Sequence, residues 1–151
     1  MNVPSRKRPV LLLLFLLLFL LSISLAAVFL SGTKGSIVSR VKNNEAHLTE
    51  IASSVIERGS AEGVSVSGVE EIVYYADSEM VEFLCGGSGL GSSTSYSGFY
   101  YSPSDIPLGF QGEPITLTKT DTGWSYEEAG GDNHYETEKI IDCWYYYHMS
   151  F

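Results

Sequence analysis

The amino-acid sequence predicts an α+β protein: an N-terminal transmembrane helix, one amphipathic helix, then a mainly antiparallel β domain folded as a small sandwich or open barrel. Three observations carry that expectation. Residues 9–30 contain no ionisable side chain. Apolar residues between 37 and 59 recur at helical spacing. Beyond Gly59 the chain breaks into short alternating runs punctuated by turn residues. All 18 acidic residues follow the apolar segment, and only six basic side chains accompany them, so residues 32–151 carry a formal charge of −12. About 120 residues suit a single domain better than a multidomain enzyme. Such acidity argues against a nucleic-acid partner, which requires a basic face opposite phosphate.

Residues 1–8 form a short basic segment ending in Arg6-Lys7-Arg8, and Pro9 suits a first helical position, where its missing N–H costs nothing. The 22 residues from 9 to 30, at about 1.5 Å each, reach roughly 33 Å, enough to cross about 30 Å of hydrocarbon. Ser22 and Ser24 can bond to carbonyls a turn earlier and so need not break the span. A cleaved signal peptide is the competing reading, with Ser24-Leu25-Ala26 as a small-x-small cleavage site. Apolar character continues through Val28-Phe29-Leu30, which favours an uncleaved signal anchor. The Arg6-Lys7-Arg8 cluster favours a cytoplasmic N-terminus. The acidic domain is then extracytoplasmic, and the lipid bilayer is its first partner.

Residues 31–36, Ser-Gly-Thr-Lys-Gly-Ser, read as a linker. From 37 to 59 an amphipathic helix is expected, with Val41, Leu48, Ile51, Ala52, Val55 and Ile56 on one face, Arg58 in its last turn and Gly59 as its stop. Residues 60–151 form the acidic antiparallel β domain. Val69–Tyr75 and Met80–Cys85 flank a hairpin connection at Ala76–Glu79, and Val81, Phe83 and Cys85 share a face from which Glu82 points away. Further strands are expected at Tyr96–Ser102, Pro114–Thr120, Trp124–Glu128, Tyr135–Asp142 and from there to Phe151. Gly130-Gly131-Asp132-Asn133 is a turn. Alternation at the C-terminal end puts Ile141, Cys143, Tyr145, Tyr147, Met149 and Phe151 on one side.

Cys85 and Cys143 both fall on faces expected to point inward. An extracytoplasmic compartment permits a disulfide between them, and closing a loop of that length would be worth about 4 kcal/mol in the chain-entropy model. Two buried free thiols are the alternative. No catalytic, cofactor-binding or metal-binding constellation emerges: His47, His134 and His148 are scattered, and no histidine lies near Cys85 in sequence to activate it. The stretch Gly86–Ser93 follows a strand, yet it lacks a P-loop lysine, the third glycine of a dinucleotide fingerprint and the second glycine of a nucleophile elbow, so it reads as a flexible hairpin or loop. Asp132–Glu136 gathers acid, amide and imidazole and reads as a polar turn. Consecutive aromatics must point to both faces of a strand, so Trp124, Trp144 and Tyr146 are candidates to stack on a glycan or protein ligand. A small cell-surface hydrolase using His134 or His148 is the alternative from a different class.

The stretches Gly98–Pro103, Phe110-Gln111-Gly112 and Asp142–Tyr147, behind an N-terminal anchor, resemble a family of small, uncharacterised single-pass bacterial membrane proteins. The resemblance covers most of the chain after the anchor and implies no activity. A second likeness is architectural: pilin-like subunits also run basic leader, apolar helix, amphipathic helix and antiparallel sheet. This chain lacks their leader cleavage pattern and the early glutamate within the apolar segment.

Overall fold

A computed structural model of the chain describes residue 13 and residues 16–19, 32–90 and 93–151. The chain divides into two units, Met1–Leu30 and Ser31–Phe151. Most of the span expected over residues 9–30 lies outside the described residues. Leu13 and Leu16–Phe19 are helical there, and among the described residues no helix is long and apolar enough to cross a membrane.

The second unit is α+β. Helix α1 spans Lys34–Asn43 and α2 spans Glu45–Arg58. The strands are β1 (Glu71–Tyr75), β2 (Met80–Leu90), β3 (Ser93–Tyr101), β4 (Thr118–Lys119), β5 (Trp124–Glu127), β6 (His134–Ile141) and β7 (Trp144–Ser150). They form one open antiparallel sheet in the order β1-β2-β3-β7-β6-β5-β4. The expected antiparallel β domain is thus present as one open sheet, and the finer expectation of a sandwich or barrel is corrected to it. No second sheet is needed, because helices cover one face and an irregular strap, residues 103–117, covers the other.

The single helix expected over 37–59 is two helices, and the first begins inside the expected linker, at Lys34. The break has a local cause at Asn44. Its side-chain amide donates to the Arg40 carbonyl at 2.8 Å, and its own N–H points back to Arg40 and Val41. The Arg40 carbonyl is thereby held within α1, while the Asn44 carbonyl receives Leu48 N–H and starts α2. Gly59 ends α2 in the left-handed conformation, as the sequence predicts. Ile37, Val41, Leu48, Ala52 and Val55 bury against Val81, Phe83, Cys85, Phe99, Trp144 and Tyr146 of the sheet.

The opposite face carries Met80, Tyr100, Tyr135, Tyr145, Tyr147 and Met149, with Leu108, Phe110 and Leu117 of the strap packed on them. Strand β7 lies at the centre of the sheet and is covered on both sides. That explains four consecutive buried residues, Trp144 to Tyr147. Ile141 is corrected to the helix-covered side, and Cys143 to the β6–β7 turn, where its φ is 64°. The expected strand Pro114–Thr120 shortens to Thr118–Lys119, because residues before it belong to the strap. Of the two forms expected for the glycine-rich stretch, hairpin or loop, the hairpin is present. Gly86 to Leu90 extend β2 and pair with Ser93 to Ser97.

The expected disulfide is corrected: both cysteines are free. Register pairs Trp144 with Tyr101 and Tyr101 with Val81. Cys143 therefore lies two strands from Cys85 and about five residues along, roughly 17 Å, where a bridge needs Cα atoms within about 7 Å. Cys85 sits under the Arg40 guanidinium, 3.2 Å from its sulfur, yet burial outweighs that cation and pushes the thiol up to about 11. Cys143, more accessible, is raised by burial and by Asp105 and Asp142. Intact mass is expected to be identical before and after reduction. Alkylation of the folded protein at pH 8 should label Cys143 well before Cys85; a two-dalton increase on reduction would overturn the assignment.

Candidate ligand-binding cleft

The strap is tied to the sheet by directed hydrogen bonds. At its start, Asp105 accepts from Lys139 Nζ at 2.6 Å, from Cys143 N–H at 2.8 Å and from the Tyr145 hydroxyl at 3.1 Å. Lys139 and the Cys143 N–H hold the Asp105 carboxyl below its ordinary range. In the middle, Leu108 N–H donates to Tyr100 Oη at 3.0 Å and the Leu108 carbonyl accepts from Tyr135 Oη at 3.1 Å. Thr137 donates to the Tyr146 carbonyl at 2.9 Å, so the 2.9 Å contact between Tyr100 and Thr137 has Tyr100 as donor. Each hydroxyl has one proton, and the chain from Leu108 N–H through Tyr100 and Thr137 to Tyr146 uses each once.

Beside this network lies a buried carboxyl. Glu82 points away from the helix-covered face, as its alternation predicts, but the strap side is also enclosed and leaves it only 7% exposed. Tyr147 Oη donates to Glu82 Oε1 at 2.9 Å. Gly98 permits that reach: a Cβ there would stand 2.7 Å from Tyr147 Oη and 2.3 Å from the Phe83 carbonyl. Burial raises the Glu82 carboxyl to about 7 against the opposing pull of the Tyr147 hydrogen bond, with Glu71 adding to the rise.

Past Phe110 the strap diverges from the sheet and leaves a cleft. Phe110, Ile115, Tyr126, Tyr135, Met149 and Phe151 line it, with Glu113, Glu128, Asn133 and His134 around them. It encloses about 540 Å³ of empty space, open solvent at its mouth included. Phe110 and Phe151 meet edge to face at 5.5 Å, fixing one wall. Glu128 is set by the adjoining turn, whose Gly131 N–H donates to the Glu128 carbonyl at 3.2 Å. Its carboxylate lies across Gly131, where a Cβ would come within 2.1 Å of Oε2. The turn read from Gly130-Gly131-Asp132-Asn133 is thus present, and it places a carboxylate at the cleft.

The three stacking candidates lie elsewhere. Trp144 is 1% exposed beneath the helices, against Phe83, Phe99 and Tyr101, and its Nε1–H donates to Thr49 Oγ1 at 3.2 Å. Tyr146 is buried on the same face, with Lys34 over its ring. Both are corrected to core residues, because α1 and α2 cover the face they occupy. Trp124 is half-buried and meets Tyr145 edge to face at 6.3 Å. The cleft's aromatics are instead Phe110, Tyr126, Tyr135 and Phe151. Only the placement of Phe110 and of Asn133-His134-Tyr135 beside turn glycines hints at them in sequence.

Two of the three histidines, His134 and His148, lie in different surroundings. His134 Nε2 meets Glu136 at 3.0 Å, and its Nδ1 lies 3.6 Å from Glu127. His148 Nδ1 meets Ser97 Oγ at 2.9 Å on the helix-covered face, across the sheet from the cleft. Glu136 is paired with His148 in register, but its carboxylate engages His134, and no carboxylate contact to His148 is present among the described residues. Among the described residues the Ser97–His148 pair has no orienting acid of the kind hydrolytic triads use. No group of residues able to hold a metal ion is present among the described residues. No protein-family model, curated protein or solved structure matches this chain.

Proposed function

We propose that this protein is a membrane-anchored extracytoplasmic binding domain, held by residues 9–30 with its N-terminus in the cytoplasm and presenting the cleft to a ligand. The cleft is the observation that carries the binding role. It brings apolar and aromatic side chains from the strap, β5, β6 and the end of β7 into one concavity, with a few polar groups at its edge, the usual composition of a small-molecule site. The anchor is supported by 22 consecutive residues without an ionisable group. Within it, Leu13, Leu16, Leu17, Leu18 and Phe19 are each more than half exposed, an apolar surface suited to lipid. The charge of −12 after residue 31 suits a water-facing domain and disfavours nucleic acid as partner.

Carbonate extraction of membranes is expected to leave the full chain in the pellet, and protease added to intact cells is expected to remove residues 32–151. Release of the intact chain by carbonate, or protection of the acidic domain, would overturn the location.

A further inference from the structure

We infer that the cleft takes a small organic cation of the alkylammonium or quaternary ammonium class. The inference rests on the binding role proposed above and names its ligand chemistry. Four aromatic rings, Phe110, Tyr126, Tyr135 and Phe151, line the cleft together with the Met149 thioether. A ring face carries negative potential and attracts a cation, and apolar methyl or methylene groups pack on it. Two carboxylates, Glu113 and Glu128, share the same concavity, and neither has an ion-pair partner among the described residues. No lysine or arginine belongs to the described lining; His134, its one basic group, already faces Glu136 and Glu127.

These features separate the ligand classes. A neutral apolar group would fill the aromatic space but leave the exposed carboxylates Glu113 and Glu128 without a counter-charge, whereas an anion would meet two like charges. A cation with methyl or methylene groups satisfies both requirements: its apolar surface contacts the rings, and its charge faces the carboxylates. The cleft is open to solvent at its mouth, and the Glu128 carboxylate lies against Gly131 at its edge.

The test uses the full chain in a maltoside detergent, which has no ammonium headgroup, with benzyltrimethylammonium as probe and neopentylbenzene as its neutral isostere. Isothermal titration should show saturable binding of the cation, at least tenfold tighter than the isostere and weakened by added salt. Glu128→Gln and Tyr126→Leu should each weaken it by about three- to thirtyfold, the range of desolvated cation–π and charge contacts, with unchanged melting temperature in Glu128→Gln. Acetyl-lysine methylamide, which delivers its ammonium on a peptide, should bind less tightly than the free cation. Equal binding of probe and isostere would overturn the cation assignment while leaving an apolar binding cleft. Failure of both to bind would overturn the cleft's binding role as well. Tighter binding of the lysine derivative would replace the small-molecule cation with a basic peptide.

Discussion

Trp144→Ala is expected to destabilise the domain by about 3–5 kcal/mol, the range for removing a fully buried large aromatic side chain. The indole touches Phe83 on β2, Phe99 and Tyr101 on β3 and donates to Thr49 on α2. It therefore joins the helices to the centre of the sheet, and its removal leaves a cavity bounded by backbone that β pairing holds in place. Domains of this size are stable by only about 5–15 kcal/mol, so the variant should unfold at markedly lower denaturant concentration. Trp144→Phe, which keeps a ring but not the Thr49 bond, should lose roughly half as much. Urea melts of the three proteins in the same detergent measure this. An unfolding free energy for Trp144→Ala within about 0.5 kcal/mol of wild type would show that the residue is a surface group after all.

Glu82 is expected to make stability fall as pH rises from about 5 to 8. Its carboxyl titrates near 7 in the folded chain against 4.5 as its ordinary value. Between those values the folded state binds the additional proton, so the stabilisation is fully present below about 4.5 and is lost as pH passes through 7. At 1.36 kcal/mol per unit the change amounts to about 3 kcal/mol. The groups facing Glu82 are Tyr147, which donates to it, with Glu71, Tyr75 and Tyr135 close enough to couple to its charge. The three tyrosines are raised by burial and by Glu82 itself, so they remain neutral across this window. Glu82→Gln keeps an acceptor for Tyr147 and removes the charge. It should flatten the profile and melt above wild type at pH 8, with little difference at pH 5. Parallel profiles for the two proteins would remove Glu82 as the cause.

Much of the local structure was legible from residue spacing. The helical face at Leu48, Ala52 and Val55, the stop at Gly59, the Ala76–Glu79 connection and the shared face of Val81, Phe83 and Cys85 each depend on neighbours within a few residues. Alternation also placed Glu82 correctly on the other face. It could not show that this face is covered too, because the strap that covers it has no periodicity. Trp144 and Tyr146 were misplaced for a different reason: they lie under α1 and α2, and a run of aromatics facing both ways does not show which members the helices cover. The disulfide failed for a related reason. Alternation put both cysteines inward, but Cys143 sits in the β6–β7 turn, and the separation of the two depends on β3 lying between β2 and β7.

The sequence by itself determined the charge segregation, the helical and extended segments and which side chains alternate together, since these follow from composition and from periods of 3.6 and 2. Only the tertiary structure decided the sheet order, the burial of Glu82 and Trp144 and the existence of the cleft. The cleft draws on residues 110–115, 126–135 and 149–151, segments that meet because residues 93–101 pair with 144–150 across a long excursion of the chain. Pairing over that separation is settled by the competition among all possible strand partners and their burial, which no local pattern encodes.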